Sequence, residues 1–105
     1  MKYVVDISSR ADRDLREIYE YIAFELLAPE NAAGQLKRLE SAIMRLDSMP
    51  LRHKKYDSIS RKLSNLYMMP VDNFIVFYVP DEEAHTVTII RVMYGGRDID
   101  EQLNN

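Results

Sequence analysis

Five cations, Arg52, Lys54, Lys55, Arg61 and Lys62, fall within the twelve residues from Leu51 to Lys62, against a single acid, Asp57. In a chain of net charge −3 that window carries +4 and leaves −7 for the remaining residues. Such a block is either a solvated loop or an anion-binding patch on an acidic body. A further cation stands apart from it. In Thr86 to Tyr94, strict alternation places Val87, Ile89, Arg91 and Met93 on one face of a strand and Thr88, Ile90, Val92 and Tyr94 on the other. Setting Ile90 and Val92 against the core leaves Arg91 on the open face. The planar fork of arginine donates two parallel hydrogen bonds to a phosphoryl group and stays charged at any working pH, so an exposed Arg91 suits phosphate recognition. A cross-strand salt bridge is the structural alternative. Tyr78, in the preceding strand, and Arg97, just past Gly95 and Gly96, are placed to lie near it.

His53 and His85 are the only imidazoles. Neighbouring cations lower the pKa of His53, which keeps it neutral near pH 7 and available as a general base. His85 falls in the acidic turn Pro80 to His85 and reads as a solvated surface residue.

The elements that must position these groups follow from periodicity. Lys2 to Ile7 is a short β-branched run, enough for one strand. Ser8 and Ser9 are N-cap candidates, and Ala11, Leu15, Ile18, Tyr19, Ile22 and Leu26 recur at three- and four-residue steps, which predicts an amphipathic helix from Arg10 to Leu27. Pro29 opens a second helix that Pro50 stops, so the pair forms a helical hairpin. After the basic segment the period falls to two. Leu63 to Met69, Asn73 to Val79 and Thr86 to Tyr94 read as three strands, joined at Pro70 to Asn73 and at Pro80 to His85 into an antiparallel meander. Asp98 to Leu103 reads as a terminal helical turn. The order β-α-α-β-β-β predicts an α+β domain with the helical hairpin on one face of a twisted sheet.

With 105 residues, 47% hydrophobic and 30% charged, the chain is sized for a single domain over residues 1–105 with a core of its own. The absence of cysteine excludes disulfides, thiol nucleophiles and Cys-based metal sites. No run longer than the nine residues Leu63 to Val71 lacks a charge, against the ~20 needed to span a bilayer. No basic-then-apolar signal peptide opens the chain, so a soluble, cytoplasmic protein without a membrane partner is expected.

Taken together, the opening Tyr3-x-Val5 strand, the helix Ser8-x-x-Ala11-x-x-Asp14-Leu15-x-x-Ile18-x-x-Tyr21-Ile22, the stop Leu46-x-x-x-Pro50, the strand Phe74-x-Val76-x-Tyr78 and the closing Val87-x-Ile89-x-Arg91-Val92-x-Tyr94-Gly95-x-Arg97-Asp98 resemble the RelE/ParE superfamily of bacterial toxins. The resemblance spans nearly the whole chain. It implies the toxin of a type II toxin–antitoxin pair, held inactive by a cognate antitoxin protein. One branch of the superfamily enters the ribosome and cuts mRNA without a metal or other cofactor; the other poisons DNA gyrase.

For the ribonuclease, the resemblance implies a set of Lys, Arg and Tyr side chains in place of a His/Glu pair. Arg61 and Arg91 would hold the scissile phosphate, Lys54 or Lys55 would accept a proton, and Tyr94 would stack or act as the acid. Arg52, His53, Lys62 and Arg97 would contact the nucleic acid. Against this set stand a pI of about 5.3, since an acidic body is repelled by ribosomal RNA outside the patch, and the Gly95-Gly96-Arg97-Asp98 string, which is closer to the ParE-like side. The reading reached is a ribosome-dependent mRNA endoribonuclease. The alternatives are a ParE-like gyrase inhibitor and an inactive relative that only binds its antitoxin through an exposed apolar groove, to which six Met and seven Tyr are suited.

Overall fold

In the computed structural model, which describes residues 2–56, 65–96 and 99–103, the chain begins with strand β1 (Val4–Ile7) and helix α1 (Ser9–Glu20). Ser8 carries two tasks at their junction. Its hydroxyl accepts from the Ala11 N–H at 3.1 Å, the N-cap bond expected from sequence, and donates to the Ile90 carbonyl at 3.2 Å. The start of α1 is thereby pinned to the middle of the last strand. The helix ends in a π-turn over Tyr21–Glu25, and Leu27 then takes φ 53° to reverse the chain into α2 (Pro29–Met44).

The remaining elements are β2 (Lys54–Lys55), β3 (Tyr67–Val71), β4 (Phe74–Asp81), β5 (Thr86–Tyr94) and α3 (Ile99–Leu103). The five strands form one sheet in the order β1-β5-β4-β3-β2. β1 lies parallel to β5 and every other pair is antiparallel. The α+β architecture and the three-strand meander are as the periodicity predicts. The short edge strand Lys54–Lys55 is an addition, because two charged residues carry no alternation to detect. Asp72 with φ 55° makes the turn between β3 and β4, so Pro70 and Val71, expected in that turn, lie in the strand.

The main core sits between the sheet and the helical hairpin, where Leu15, Leu39, Ile43 and Leu46 meet Val76, Tyr78, Val87, Ile89 and Val92. The opposite face of the sheet is not open. Leu66, Phe77 and Met93 are buried there, with Ile99 and Leu103 of α3 packed over them. A β-bulge explains how β5 serves both layers. Ile89 pairs with Tyr78 and Arg91 with Phe77, which leaves Ile90 unpaired. Past the bulge the alternation is displaced by one residue, so Val87, Ile89 and Val92 share the main core while Ile90 and Met93 turn to the second layer.

Candidate functional site

Arg91 lies opposite Val92, in register with Phe77, as alternation expects, but its place is covered by α1 and α3, which corrects the expectation of an open face. The side chain is buried, 11% exposed, and Asp14, 5% exposed, is its partner. Arg91 Nε donates to one Asp14 oxygen at 2.7 Å and Nη2 to the other at 3.2 Å, while Nη1 donates to the Gln102 carbonyl of α3 at 3.1 Å. Asp14 also accepts from the Val92 N–H at 2.9 Å, and Arg10 stands 3.7 Å away. All three guanidinium nitrogens are therefore engaged inside the protein. Asp14 is the residue that sequence reasoning left without a role. Its signal was an acid one position before Leu15, on the buried side of a helix, facing an arginine on a strand.

The other expected site residues do not converge on Arg91. Tyr94 is half exposed at the end of β5, with its ring edge-on to Phe74 at 6.0 Å. Lys54 lies in register with Met68, Phe77 and Arg91 across the sheet. Three strand spacings separate Lys54 from Arg91, about 14 Å of backbone. Lys55, on the opposite face, holds its ammonium 5.8 Å from the Tyr67 ring, so alternation separates the two lysines. Arg52 donates to the carbonyls of Ser48 and Met49. Tyr78, expected beside Arg91, is instead fully buried in the main core and donates to the Pro50 carbonyl at 2.6 Å. Burial pushes its pKa up, so the phenol keeps this proton. Arg61, Lys62 and Arg97 lie outside the described residues.

Both imidazoles are half buried. His85 packs edge-on to Tyr3 at 5.3 Å rather than standing in solvent, and its Nδ1 is buried without a partner among the described residues. His53 meets the Tyr78 ring edge-on at 6.3 Å, and its Nε2 is likewise unpartnered. Burial first, and the Arg52 charge second, lower the His53 pKa from its ordinary 6.5. The folded state thus disfavours the imidazolium, and the unfolded chain takes up that proton first as pH falls. The contribution of His53 to stability is full above about pH 6.5 and declines below it until the lower folded pKa is passed. Asp72, held below its ordinary 3.8 by hydrogen bonds from Arg38 and Gln35, loses its contribution only in a more acidic window. Thermal melts should therefore show a smaller loss of Tm between pH 7.5 and 5 in His53→Phe than in the parent; identical losses would refute the assignment.

Beside the ion pair an open groove of about 810 Å³ runs between α1 and the ends of β4 and β5, lined by Ile18, Tyr21, Leu26, Phe74, Met93 and Tyr94 among others. Its walls mix these apolar side chains with Arg10, Glu17, Gln35, Asn73 and Gln102, and Asp14 and Arg91 meet there already paired with one another. A groove of this character suits an amphipathic segment of another protein better than a phosphodiester.

Residues 5–99 match the family model described as ParE toxin of type II toxin–antitoxin system, parDE. The chain belongs to the ParE toxin family. No curated protein matches it by sequence. Among solved structures, the toxin resembles a chain of the chromosomal ParDE system from P. aeruginosa, with a TM-score of 0.72 and 15% identity over 89% of this chain and 96% of that one. It also resembles a chain of the RelBE2 toxin–antitoxin complex from Mycobacterium tuberculosis, with a TM-score of 0.62 and 26% identity over 90% and 92% of the two chains. An arginine-to-alanine variant of E. coli RelE in the free state superposes with a TM-score of 0.67 and 15% identity over 97% and 93%. These likenesses agree with the α+β fold of this ParE-family toxin. No helix among its described residues is long and apolar enough to cross a membrane.

Proposed function

We propose that this ParE-family toxin acts by binding a protein, DNA gyrase, and that a cognate antitoxin neutralises it by laying an amphipathic segment in the groove beside α1. The observation that carries this reading is the state of Arg91. Cleavage of RNA by its own 2′-hydroxyl requires a cation to take up the charge that develops on the phosphate. Arg91, the arginine best placed by sequence for that work, has its guanidinium spent on Asp14 and Gln102. Among the described residues no second cation stands beside it except Arg10, which is itself on Asp14. A binding inhibitor needs no such set. The antitoxin partner is supported by the relatives, several of which were solved as toxin–antitoxin complexes. The ribonuclease stays the second reading because Arg52, Lys54 and Lys55 are exposed cations in one short stretch of chain at and before β2.

Purified toxin should inhibit DNA supercoiling by gyrase, the cognate antitoxin should relieve that inhibition, and mRNA on translating ribosomes should stay intact. Codon-linked mRNA cuts with unimpaired gyrase would overturn the proposal in favour of the second reading.

A further inference from the structure

The tip of the helical hairpin combines features that the fold does not explain. Phe24 is 69% exposed and Leu27 82%, with Tyr21 and Leu26 beside them at 57% and 56%. Phe24 and Leu27 are outside the lining of the groove. Leu27 gains no burial, yet it holds φ 53°, a left-handed conformation that disfavours a branched side chain and that glycine or asparagine would take with less strain. The residues just before it form the π-turn Tyr21–Glu25, an irregularity found frequently at functional sites. An exposed leucine held in a strained turn beside an exposed phenylalanine adds nothing to stability, which points to a use outside the chain.

Charge indicates the kind of partner. From Glu17 to Leu36 the sequence holds Glu17, Glu20, Glu25 and Glu30 and not one Lys, Arg or His. All four carboxylates are exposed, and none has an ion-pair partner among the described residues. The tip is thus an apolar knob rimmed by unpaired negative charge. Its complement is an apolar pocket rimmed by Lys and Arg, the character of a surface built beside a DNA path. An acidic antitoxin tail would be repelled here, and the cations available to such a tail, Arg52, Lys54 and Lys55, lie in a different part of the chain.

We propose that the hairpin tip, with Phe24 and Leu27 as anchors and Glu20, Glu25 and Glu30 as rim, is the surface by which the toxin docks on its target, a basic-rimmed apolar pocket of a DNA-handling enzyme. The inference rests on the reading of the chain as a toxin that acts by binding gyrase, and it names the surface and the chemistry of that encounter.

The test uses the full chain and purified gyrase. Leu27→Gly relieves the turn, so it should melt no lower than the parent, yet together with Phe24→Ser it should weaken gyrase inhibition at least 100-fold. The charge reversals Glu20→Lys and Glu25→Lys, made together, should weaken it at least 10-fold, and added salt should weaken the parent but not this variant. Affinity for the antitoxin and sedimentation as a function of concentration should be unchanged in every variant. Full gyrase inhibition by the Phe24/Leu27 variant would overturn the docking surface while leaving the gyrase reading intact. Loss of antitoxin binding or of self-association in place of target binding would assign the tip to those partners and equally overturn it. Growth arrest in cells separates the two proposals: if the parent arrests growth without inhibiting gyrase and the folded tip variant does not, gyrase falls and the surface stands, whereas a parent that neither arrests growth nor binds gyrase removes both.

Discussion

Replacing Asp14 with alanine is expected to lower the unfolding free energy by about 3–5 kcal/mol, the usual consequence of leaving one member of a buried ion pair uncompensated. For a chain of this size that is a fall in melting temperature of roughly 12–20 °C. Three groups lose their acceptor at once: Arg91 Nε, Arg91 Nη2 and the Val92 N–H. Burial is what makes the effect large. Arg16 and Asp12 also approach to 2.7 Å, but at 66% and 61% exposure, and Asp12→Ala should change stability by less than about 1 kcal/mol. Equal effects of the two substitutions, measured by denaturant unfolding, would contradict the account.

The same pair decides what a loss of activity in an Arg91 variant means. Arg91→Ala alone strands the Asp14 carboxylate in the interior, so inactivity could follow from unfolding without any chemistry being lost. Asp14→Asn combined with Arg91→Gln replaces the ions by two amides, keeps an acceptor for the Val92 N–H, and removes the guanidinium altogether. A structural pair predicts that this double variant recovers most of the stability and with it gyrase inhibition. An Arg91 that must hold a phosphate predicts a folded but inactive protein.

Much of the architecture could be read from the chain because it is local. The β5 boundaries, Thr86 to Tyr94, follow from β-branched density and the glycine pair, and the Ser8 cap and the Pro29 start follow from the chemistry of helix ends. The candidate site was less legible because its geometry depends on contacts between elements. Alternation in β5 assumes an unbroken ladder, whereas the bulge at Ile90 comes from the pairing of Ile89 with Tyr78 and Arg91 with Phe77 and from the Ser8 hydroxyl on the Ile90 carbonyl, none of which β5 encodes by itself. That single inserted residue put Val87 and Ile89 on the Val92 face, whereas Arg91 stays opposite Val92 as alternation expects and is buried because Asp14 and the Gln102 carbonyl cover it. The hairpin tip is hidden in the sequence for a different reason. Tyr21, Ile22 and Leu26 fit the helical stripe, so nothing in their spacing revealed that the helix would end in a π-turn and leave apolar side chains outside.

Phe77→Ala tests the closed second face of the sheet and should destabilise by about 3–5 kcal/mol. If that face were open, as a helical hairpin on one side only would leave it, a substitution there would shift stability by no more than about 0.5 kcal/mol. Phe77 is fully buried, with the Tyr56 ring edge-on at 5.4 Å and Leu66 and Met93 around it. α3 has only five residues, too few to hold helical form without tertiary contacts, so its place depends on Ile99 and Leu103 reaching this cluster and on Gln102 accepting from Arg91. The cavity left by the ring should therefore loosen α3 as well as lower global stability. Hydrogen exchange should reveal this as faster exchange in the C-terminal peptide than the global loss of stability accounts for. A small loss of stability with undiminished protection of that peptide would mean that the second layer contributes little and that the Arg91–Gln102 contact matters more for the place of α3.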